Sequence, residues 1–245
     1  AQADASKGLS LNIEDDNIMA EPGYLEALAK ELGTRHPGMT FTAENGIDYR
    51  FLDIPVLEQL ISLGFRQFNF SAGTISPEEG RTLRADLLAA LTRRCAELVI
   101  PSVTYAIVGH PGETQEMFDE MCEFASTFGF DRINVFAYSD EETTSAHEMS
   151  QKIPAKIINK RADILGKIAL EAMEKSLKCE IGKDVEVIID SESDEHEYLL
   201  SAKKLLWAPE IDGEIYINDR TADEELMFGK LYRAKITDIV GNTLT

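Results

Sequence analysis

The sequence predicts an α/β fold followed by a small all-β domain. In the first two-thirds of the chain, short β-rich runs alternate with stretches of helical spacing, which is typical of a parallel sheet, open or closed into a barrel, with helices outside it. After about Glu180, helical spacing gives way to short strands separated by acidic and glycine turns. We therefore expect strand–helix units over 1–153, a connecting helix over 154–179 and a β-barrel over 180–245.

Five strand–helix units are predicted in the first region. Each strand is a short apolar or alternating run, and the helices that follow begin after proline or acidic residues, as helix starts commonly do. The predicted strands are 9–15, 39–46, 66–74, 101–109 and 132–139. The last helix runs from about Pro154 to Lys178. In a parallel sheet of this kind, functional residues gather at the C-terminal ends of the strands.

Composition limits the class of partner. The 245 residues carry a formal charge of −20, which disfavours binding to a nucleic-acid backbone and suits solubility or a basic protein partner. Residues 180–245 contain 16 acidic and 7 basic residues, a balance of −9. No apolar run approaches the ~20 residues that a transmembrane helix needs, and we expect a cytoplasmic protein without membrane contact.

Polar side chains mark the ends of the predicted strands. Carboxylates and amides collected at one rim suit a cationic, hydroxyl-rich ligand such as an amino acid or a ribose, although strand ends also need polar residues to meet water and cap helices. The residues concerned include Asp15, Asp16, Glu44, Asn69 and Ser71.

The stretch "AIVGHPGET" forms a strand–glycine–helix corner. Gly109 allows a ligand to approach the backbone closely, and Glu113 suits a helix N-terminus, either as a cap or as a ligand contact. His110 is a single histidine at a turn, so no metal site is expected there. The three cysteines lie 27 and 57 positions apart, which is not a metal-finger spacing, and Cys122 reads as a buried structural thiol.

Three stretches of the sequence resemble a known family. "VTYAIVGHPGETQEMFDEMCEFASTFGFDRINVFAYSDEETTSAHEM" and the helix after it resemble the later part of radical SAM (S-adenosylmethionine) methylthiotransferases. "WAPEIDGEIYIND" with "AKITDIVG" resembles a C-terminal TRAM domain of the RimO type rather than the tRNA-modifying MiaB type. The front of the chain, "LSLNIEDDNIMAEPGYLEAL", looks more like cobalamin-dependent radical SAM proteins.

The resemblance implies a partial, TIM-like (β/α) radical SAM barrel with five of six units. The complete enzyme would bind S-adenosylmethionine and a four-iron, four-sulfur cluster, generate a 5′-deoxyadenosyl radical and install a methylthio group on a basic ribosomal protein. The cluster requires CxxxCxxC, which this sequence lacks, so this chain is expected neither to bind the cluster nor to act by itself. We expect it to begin just after the cluster unit, with a natural cluster-less relative as the alternative.

The resemblance also implies cofactor and partner contacts, while the catalytic residues stay unknown. Asp15 and Asp16 would hold the ammonium group of S-adenosylmethionine. The remaining cofactor contacts would be Asn69 and Ser71 at the ribose, and Ile107, Gly109, Phe136 and Tyr138 around the adenine. The partner contacts would be Trp207, Glu210 and Asp212.

Two other functions stay open from the sequence. One is a cobalamin-dependent radical SAM methyltransferase or cyclase, suggested by the front half of the chain. The other is a cluster-free module in which the TRAM domain binds a ribosomal partner and the barrel is inert.

Overall fold

The computed structural model describes residues 10–15, 17–73, 83–109, 113–144, 147–150, 152–192, 199–204, 214–219, 226–240 and 243–245. They form two compact units. One contains the described residues up to Met121 and those of 140–154, and the other contains 122–139 and 155–245. Within the described part, none of the helices combines the length and the apolar character that crossing a membrane requires.

The first unit alternates parallel strands with helices, as the sequence predicts. Its strands are β1 (Ser10–Asn12), β2 (Thr40–Thr42), β3 (Phe68–Gly73) and β4 (Ser102–Ala106). Its helices are α1 (Tyr24–Arg35), α2 (Ile54–Ser62) and α3 (Ala85–Glu97), and helix α4 (Gln115–Thr127) leads out of this unit. Asp53 caps α2 by accepting a hydrogen bond from the Val56 N–H at 2.8 Å.

The four strands lie side by side in chain order. β1 pairs with β2 and β3 pairs with β4, both in parallel. Single parallel bridges, Phe41 with Phe65 and Ile47 with Phe70, connect β2 to the β3 region. Chain-order parallel pairing is the order of successive barrel units, whereas a doubly wound sheet reverses direction partway. The predicted α/β class is confirmed.

Apolar and polar side chains alternate along β3, so that its two faces differ in character. Phe68, Phe70 and Ala72 are buried, and Phe68 lies stacked between Phe65 and Phe70 with ring centroids 5.6 and 6.0 Å apart. Because neighbouring residues of a strand point to opposite faces, Asn69 and Ser71 share the other face. β3 thus anchors the apolar core with one face and presents polar groups with the other.

The predicted fifth strand does not form in the described residues. Residues 132–139 belong to no helix or strand, and Phe136 is 88% exposed. The segment begins at Asp131 and Arg132, whose side chains contact Ser176 and Met173 in the following helix at 3.1 and 3.6 Å. The alternating pattern is correct for a strand, but a strand also needs a partner for its backbone groups.

The second unit consists of helix α5 (Ala155–Lys178) and a six-stranded sheet. Leu177, in the last turn of α5, packs into the core of the sheet with Val187, Ile189, Ala202 and Ile215, so the helix is anchored to the strands that follow it. The strands are β5 (Asp184–Glu192), β6 (Leu200–Lys204), β7 (Ile215–Ile217), β8 (Leu231–Lys235), β9 (Ile239–Val240) and β10 (Thr243–Leu244), in the order β8-β5-β6-β7-β10-β9. The predicted all-β region is confirmed.

Candidate functional site

Four residues from four neighbouring strands or strand ends meet at one edge of the first unit. We call Asn12, Glu44, Asn69 and Tyr105 the strand-end cluster. The Asn12 Oδ1 accepts a hydrogen bond from the Glu44 backbone N–H at 2.9 Å. The Glu44 carbonyl accepts bonds from the Asn69 Nδ2 and the Tyr105 hydroxyl, both at 3.2 Å. The backbone of Glu44 is therefore fixed by side chains from β1, β3 and β4.

Asn69 is the buried centre of the strand-end cluster. It is 3% exposed, and its Nδ2 donates to the Tyr105 hydroxyl at 2.8 Å as well as to the Glu44 carbonyl. Its Oδ1 accepts a bond from the Gln67 Nε2 at 2.8 Å. Burial of an amide is costly unless its donors and acceptors are satisfied, and Asn69 meets this condition entirely through protein groups. The expected direct contact of Asn69 with a ribose stays a prediction.

Gly46 allows the turn after Glu44 to approach β3 closely. Its φ of +100° lies in the left-handed region that glycine adopts without strain. A Cβ at this position would collide with the Ser71 Oγ and lie 3.6 Å from the Tyr105 ring. Ser71 is exposed beside this turn, and its expected contact with a ribose stays a prediction.

Strand β4 presents an apolar wall next to the strand-end cluster. Val103, Tyr105 and Ile107 alternate along the strand and are exposed, Tyr105 by 46% and Ile107 by 59%. The Tyr105 ring is held at its hydroxyl end, because the same oxygen accepts from Asn69 and donates to Glu44. An exposed and oriented aromatic ring can pack against a planar group such as a nucleobase.

The glycine corner is closed by a carboxylate. Gly109 has a φ of +88°, and its N–H donates to the Glu113 Oε2 at 2.8 Å. This bond bridges residues 110–112, which lie outside the described residues and include His110. Glu113 therefore ties the end of the β4 segment to the start of helix α4.

The other expected cofactor contacts belong to both units or lie outside the described residues. Asp15 is exposed at the end of β1, and its Oδ1 accepts a bond from the Asn17 N–H at 2.9 Å. Asp16 lies outside the described residues. Phe136 and Tyr138 are exposed residues of the second unit. The expected partner contacts Trp207, Glu210 and Asp212 also lie outside the described residues.

The cysteines do not form a ligand set. Cys95 is buried in α3, where burial raises the pKa of its thiol to about 11. Cys122 is half-buried in α4 rather than fully buried as predicted, and Cys179 is exposed after α5. Across the residues that the structure describes, no group of three or more His, Cys, Asp or Glu side chains is arranged to hold a metal ion.

Tyr105 is the site residue that sequence reasoning missed. The sequence predicts a contact at Ile107, directly after β4, and two-residue alternation places Tyr105 on the same face of that segment. The same rule applied to "VTYAIVG" would have found it. The contact of Tyr105 with Asn69 joins residues 36 positions apart, which no local pattern indicates.

The chain is similar to known proteins in two comparisons, one with family models and one with individual proteins. A family model described as "TRAM domain" matches residues 181–245. The uS12 methylthiotransferase RimO of Sulfurimonas denitrificans is 74% identical over 142 residues, which are 58% of this chain and 32% of that protein. The RimO proteins of a Sulfurovum species and of Campylobacter jejuni are 57% and 49% identical over 141 and 130 residues, covering 58% and 53% of this chain and 32% and 29% of theirs.

Among solved structures, the chain is similar to coproporphyrinogen III oxidase (HemN) of Escherichia coli, a radical SAM enzyme. The TM-score is 0.48 at 19% identity, over 63% of this chain and 38% of that one.

The region after α5 is thus a TRAM domain, in a chain that combines it with parallel strand–helix units. The matches confirm the resemblance to RimO methylthiotransferases. The chain spans about a third of the length of the curated relatives that it matches.

Proposed function

We propose that this chain is part of a RimO-like radical SAM methylthiotransferase that modifies a side chain of ribosomal protein uS12. The observation that carries this proposal is the identity of 74% over 142 residues to a uS12 methylthiotransferase. The TRAM match over 181–245 agrees with it. A ribosomal protein as substrate also implies action in the cytoplasm.

The strand-end region of the first unit is our proposed wall of the S-adenosylmethionine site. The exposed carboxylate of Asp15 suits the ammonium group, the Ser71 hydroxyl suits the ribose, and Ile107 with the Gly109 backbone suits the adenine. Asp16, Phe136 and Tyr138 remain proposed contacts on the strength of the resemblance. The role of these residues is to bind and orient, because a cofactor of this kind supplies the reactive group itself.

The cysteines of this chain do not fit the cluster that the family uses. A four-iron, four-sulfur cluster needs several thiolates on one side of a site, whereas Cys95 is enclosed in α3 and Cys179 is exposed after α5. We therefore derive no radical step from these residues. The part of the activity that we assign to this chain is recognition.

The TRAM domain is our proposed binding surface for uS12. Its balance of −9 over residues 180–245 attracts a basic protein and repels the phosphates of RNA. Trp207 would supply an apolar anchor, and Glu210 and Asp212 would pair with basic side chains, as expected from the resemblance. Charge attraction of this kind raises the association rate and weakens as salt is added.

A second candidate function has one observation in its favour. A protein-binding module without the cluster would need no thiolate site, and this agrees with the lack of a CxxxCxxC motif in the sequence. In that case the chain would bind the ribosomal partner without modifying it.

Binding of uS12 to the chain tests the proposal directly. Fluorescence anisotropy with labelled uS12 should show saturable binding that weakens with added salt, and a tRNA of similar size should not compete. The triple variant Trp207→Ala, Glu210→Gln, Asp212→Asn should bind at least tenfold more weakly, while Glu116→Gln on helix α4 serves as an exposed control. The absence of binding to uS12 would contradict the proposed partner.

A chemical assay tests the assignment of this chain to recognition alone. The chain is incubated anaerobically with iron, sulfide, reductant, S-adenosylmethionine and uS12, and the mass of uS12 is then measured. We expect no methylthio group to be added and no stoichiometric cluster to form on this chain. Modification of uS12 under these conditions would overturn the assignment of this chain to recognition alone.

A further inference from the structure

We propose that Asn69 is a positioning residue, which fixes the Glu44–Gly46 turn and the Tyr105 ring as one rigid wall, and that Tyr105 rather than Asn69 contacts the ligand. This inference rests on the proposed function for the identity of the ligand. Its structural part stands on the strand-end cluster alone.

The first argument is the hydrogen-bond capacity of Asn69. A side-chain amide has two N–H donors and one acceptor oxygen. The Nδ2 group of Asn69 donates to the Glu44 carbonyl at 3.2 Å and to the Tyr105 hydroxyl at 2.8 Å. The oxygen accepts from Gln67 at 2.8 Å. Both N–H donors are therefore engaged, and a ligand could reach only the second lone pair of an oxygen whose residue is 3% exposed.

The second argument is the convergence of backbone bonds at the same place. The Ile47 N–H donates to the Asn69 carbonyl at 2.6 Å, and the Ser71 N–H donates to the Ile47 carbonyl at 2.9 Å. The segment after Glu44 is thus attached to β3 by both its backbone and the Asn69 side chain. Removal of the side chain would leave the backbone pairing in place but would take away one bond from the Glu44 carbonyl and one from the Tyr105 hydroxyl, leaving these two groups joined only to each other.

The third argument is the exposure of Tyr105. Its ring is 46% exposed between Val103 and Ile107, yet its hydroxyl is held by two bonds within the strand-end cluster. An aromatic ring that is both accessible and fixed loses little conformational entropy when a ligand packs against it. Asn69 therefore acts on the ligand through Tyr105.

The first test needs no ligand. The chain is labelled at tyrosine Cζ, and the Tyr105 NMR signal among the seven tyrosines is identified by its loss in Tyr105→Phe. In Asn69→Leu, the Tyr105 signal should shift while the other tyrosine signals stay in place. Asn45→Leu, an exposed change in the same turn, should leave the Tyr105 signal unchanged. An unchanged Tyr105 signal in a folded Asn69→Leu protein would overturn the proposal.

A reciprocal measurement covers the case in which Asn69→Leu does not fold. In Tyr105→Phe, which removes only the hydroxyl, the side-chain amide signals of Asn69 should shift and exchange faster with solvent. If these signals do not change, Asn69 and Tyr105 are not coupled and the proposal is wrong.

The proposed contact between Tyr105 and the ligand is tested by isothermal titration calorimetry with S-adenosylmethionine. Asn69→Leu and Tyr105→Phe should each weaken binding roughly five- to tenfold, the effect of one lost hydrogen bond. The double variant should bind no more weakly than either single variant, because residues that act through each other are not additive. Additive losses would show that Asn69 contacts the ligand separately. If the unaltered chain does not bind the cofactor, the proposed cofactor site fails, while the NMR result still decides the positioning role.

Discussion

The carboxylate of Glu113 accepts a hydrogen bond from the Gly109 backbone N–H, with the two atoms 2.8 Å apart. A carboxylate near a helix N-terminus is stabilised by the helix dipole, but here it also holds the segment that enters the corner. Because Gly109 is in the left-handed region at φ +88°, the corner needs both the glycine and this bond. The sequence is equally compatible with Glu113 as a helix cap or as a ligand contact. In the structure, the Glu113 carboxylate stabilises the corner by its bond to Gly109.

Replacement of Glu113 by alanine should destabilise the first unit. The variant loses a hydrogen bond to a charged acceptor, and we expect the free energy of unfolding to fall by about 1–2 kcal/mol. Urea denaturation followed by circular dichroism measures this change. Glu120→Ala, an exposed change in the same helix α4, should alter the value by less than about 0.5 kcal/mol. Equal effects of the two substitutions would remove the structural role given to Glu113.

Val99 is a strained residue whose replacement should stabilise the protein. It follows helix α3 with a φ of +57°, in the left-handed region, and is 87% exposed. Its neighbour Ile100 closes the helix by donating to the Cys95 carbonyl at 2.8 Å, so the conformation is required by the helix end. Since this region costs an L-residue about 1–2 kcal/mol, Val99→Gly should raise the free energy of unfolding by about 1 kcal/mol.

The matched variant for this test is Val99→Ala, which removes the same exposed side-chain branches but keeps a Cβ. It should recover much less of the strain than glycine does. If alanine stabilises the chain as much as glycine, the exposed apolar surface of Val99 is responsible and not its backbone conformation.

The cysteines should differ widely in reactivity. Burial raises the pKa of the Cys95 thiol to about 11, and the thiolate is the reactive form, so Cys95 should resist N-ethylmaleimide at about pH 8. Cys179 is exposed and should react first. Peptide mass spectrometry after timed labelling measures both rates, and labelling in urea should make them similar. Fast labelling of Cys95 in the folded chain would contradict the burial of α3.

Glu180 should make the stability of the second unit depend on pH. Burial by itself raises the pKa of this carboxyl, but hydrogen bonds from Lys204 and Lys183 outweigh it, so that the pKa is lowered. A group with a lowered pKa in the folded state contributes stability above its unfolded pKa, and this contribution is lost as the pH falls through the folded value. Glu180→Gln should therefore be less stable than the parent at pH 7, and the difference should shrink at a pH below about 4.

Thermal unfolding from pH 7 to pH 3 measures the Glu180 effect. Glu192→Gln is the control, because this carboxylate lies exposed at the end of β5 in the same sheet. The two variants should differ at neutral pH and converge in acid. A constant difference between Glu180→Gln and the parent across the range would mean that the two lysine bonds contribute no pH-dependent stability.

Local patterns predicted the elements better than the contacts between them. The alternation of "RQFNFSAGT" places Phe68 and Phe70 on one face and Asn69 on the other, and the structure agrees. The pattern does not indicate how deeply a side chain is buried, however. The sequence therefore predicts that Asn69 contacts a ligand, whereas in the structure its two N–H donors bond to Glu44 and Tyr105. The strand prediction for 132–139 is wrong for a related reason. A strand needs a neighbouring strand for its backbone hydrogen bonds, and the alternating pattern does not indicate whether one is present.

Chain-order pairing also affects how molecules of this protein behave toward one another. Within the described residues, β4 is an edge strand of its sheet. Val103, Tyr105 and Ile107 are exposed on or directly after this strand. An open sheet edge with apolar neighbours is a template for self-association. The charge of −20 keeps copies apart in dilute buffer, because their mutual repulsion extends over a Debye length of about 10 Å at 0.1 M salt. Concentrated salt screens this repulsion, so ionic strength should govern whether the protein stays dispersed in storage.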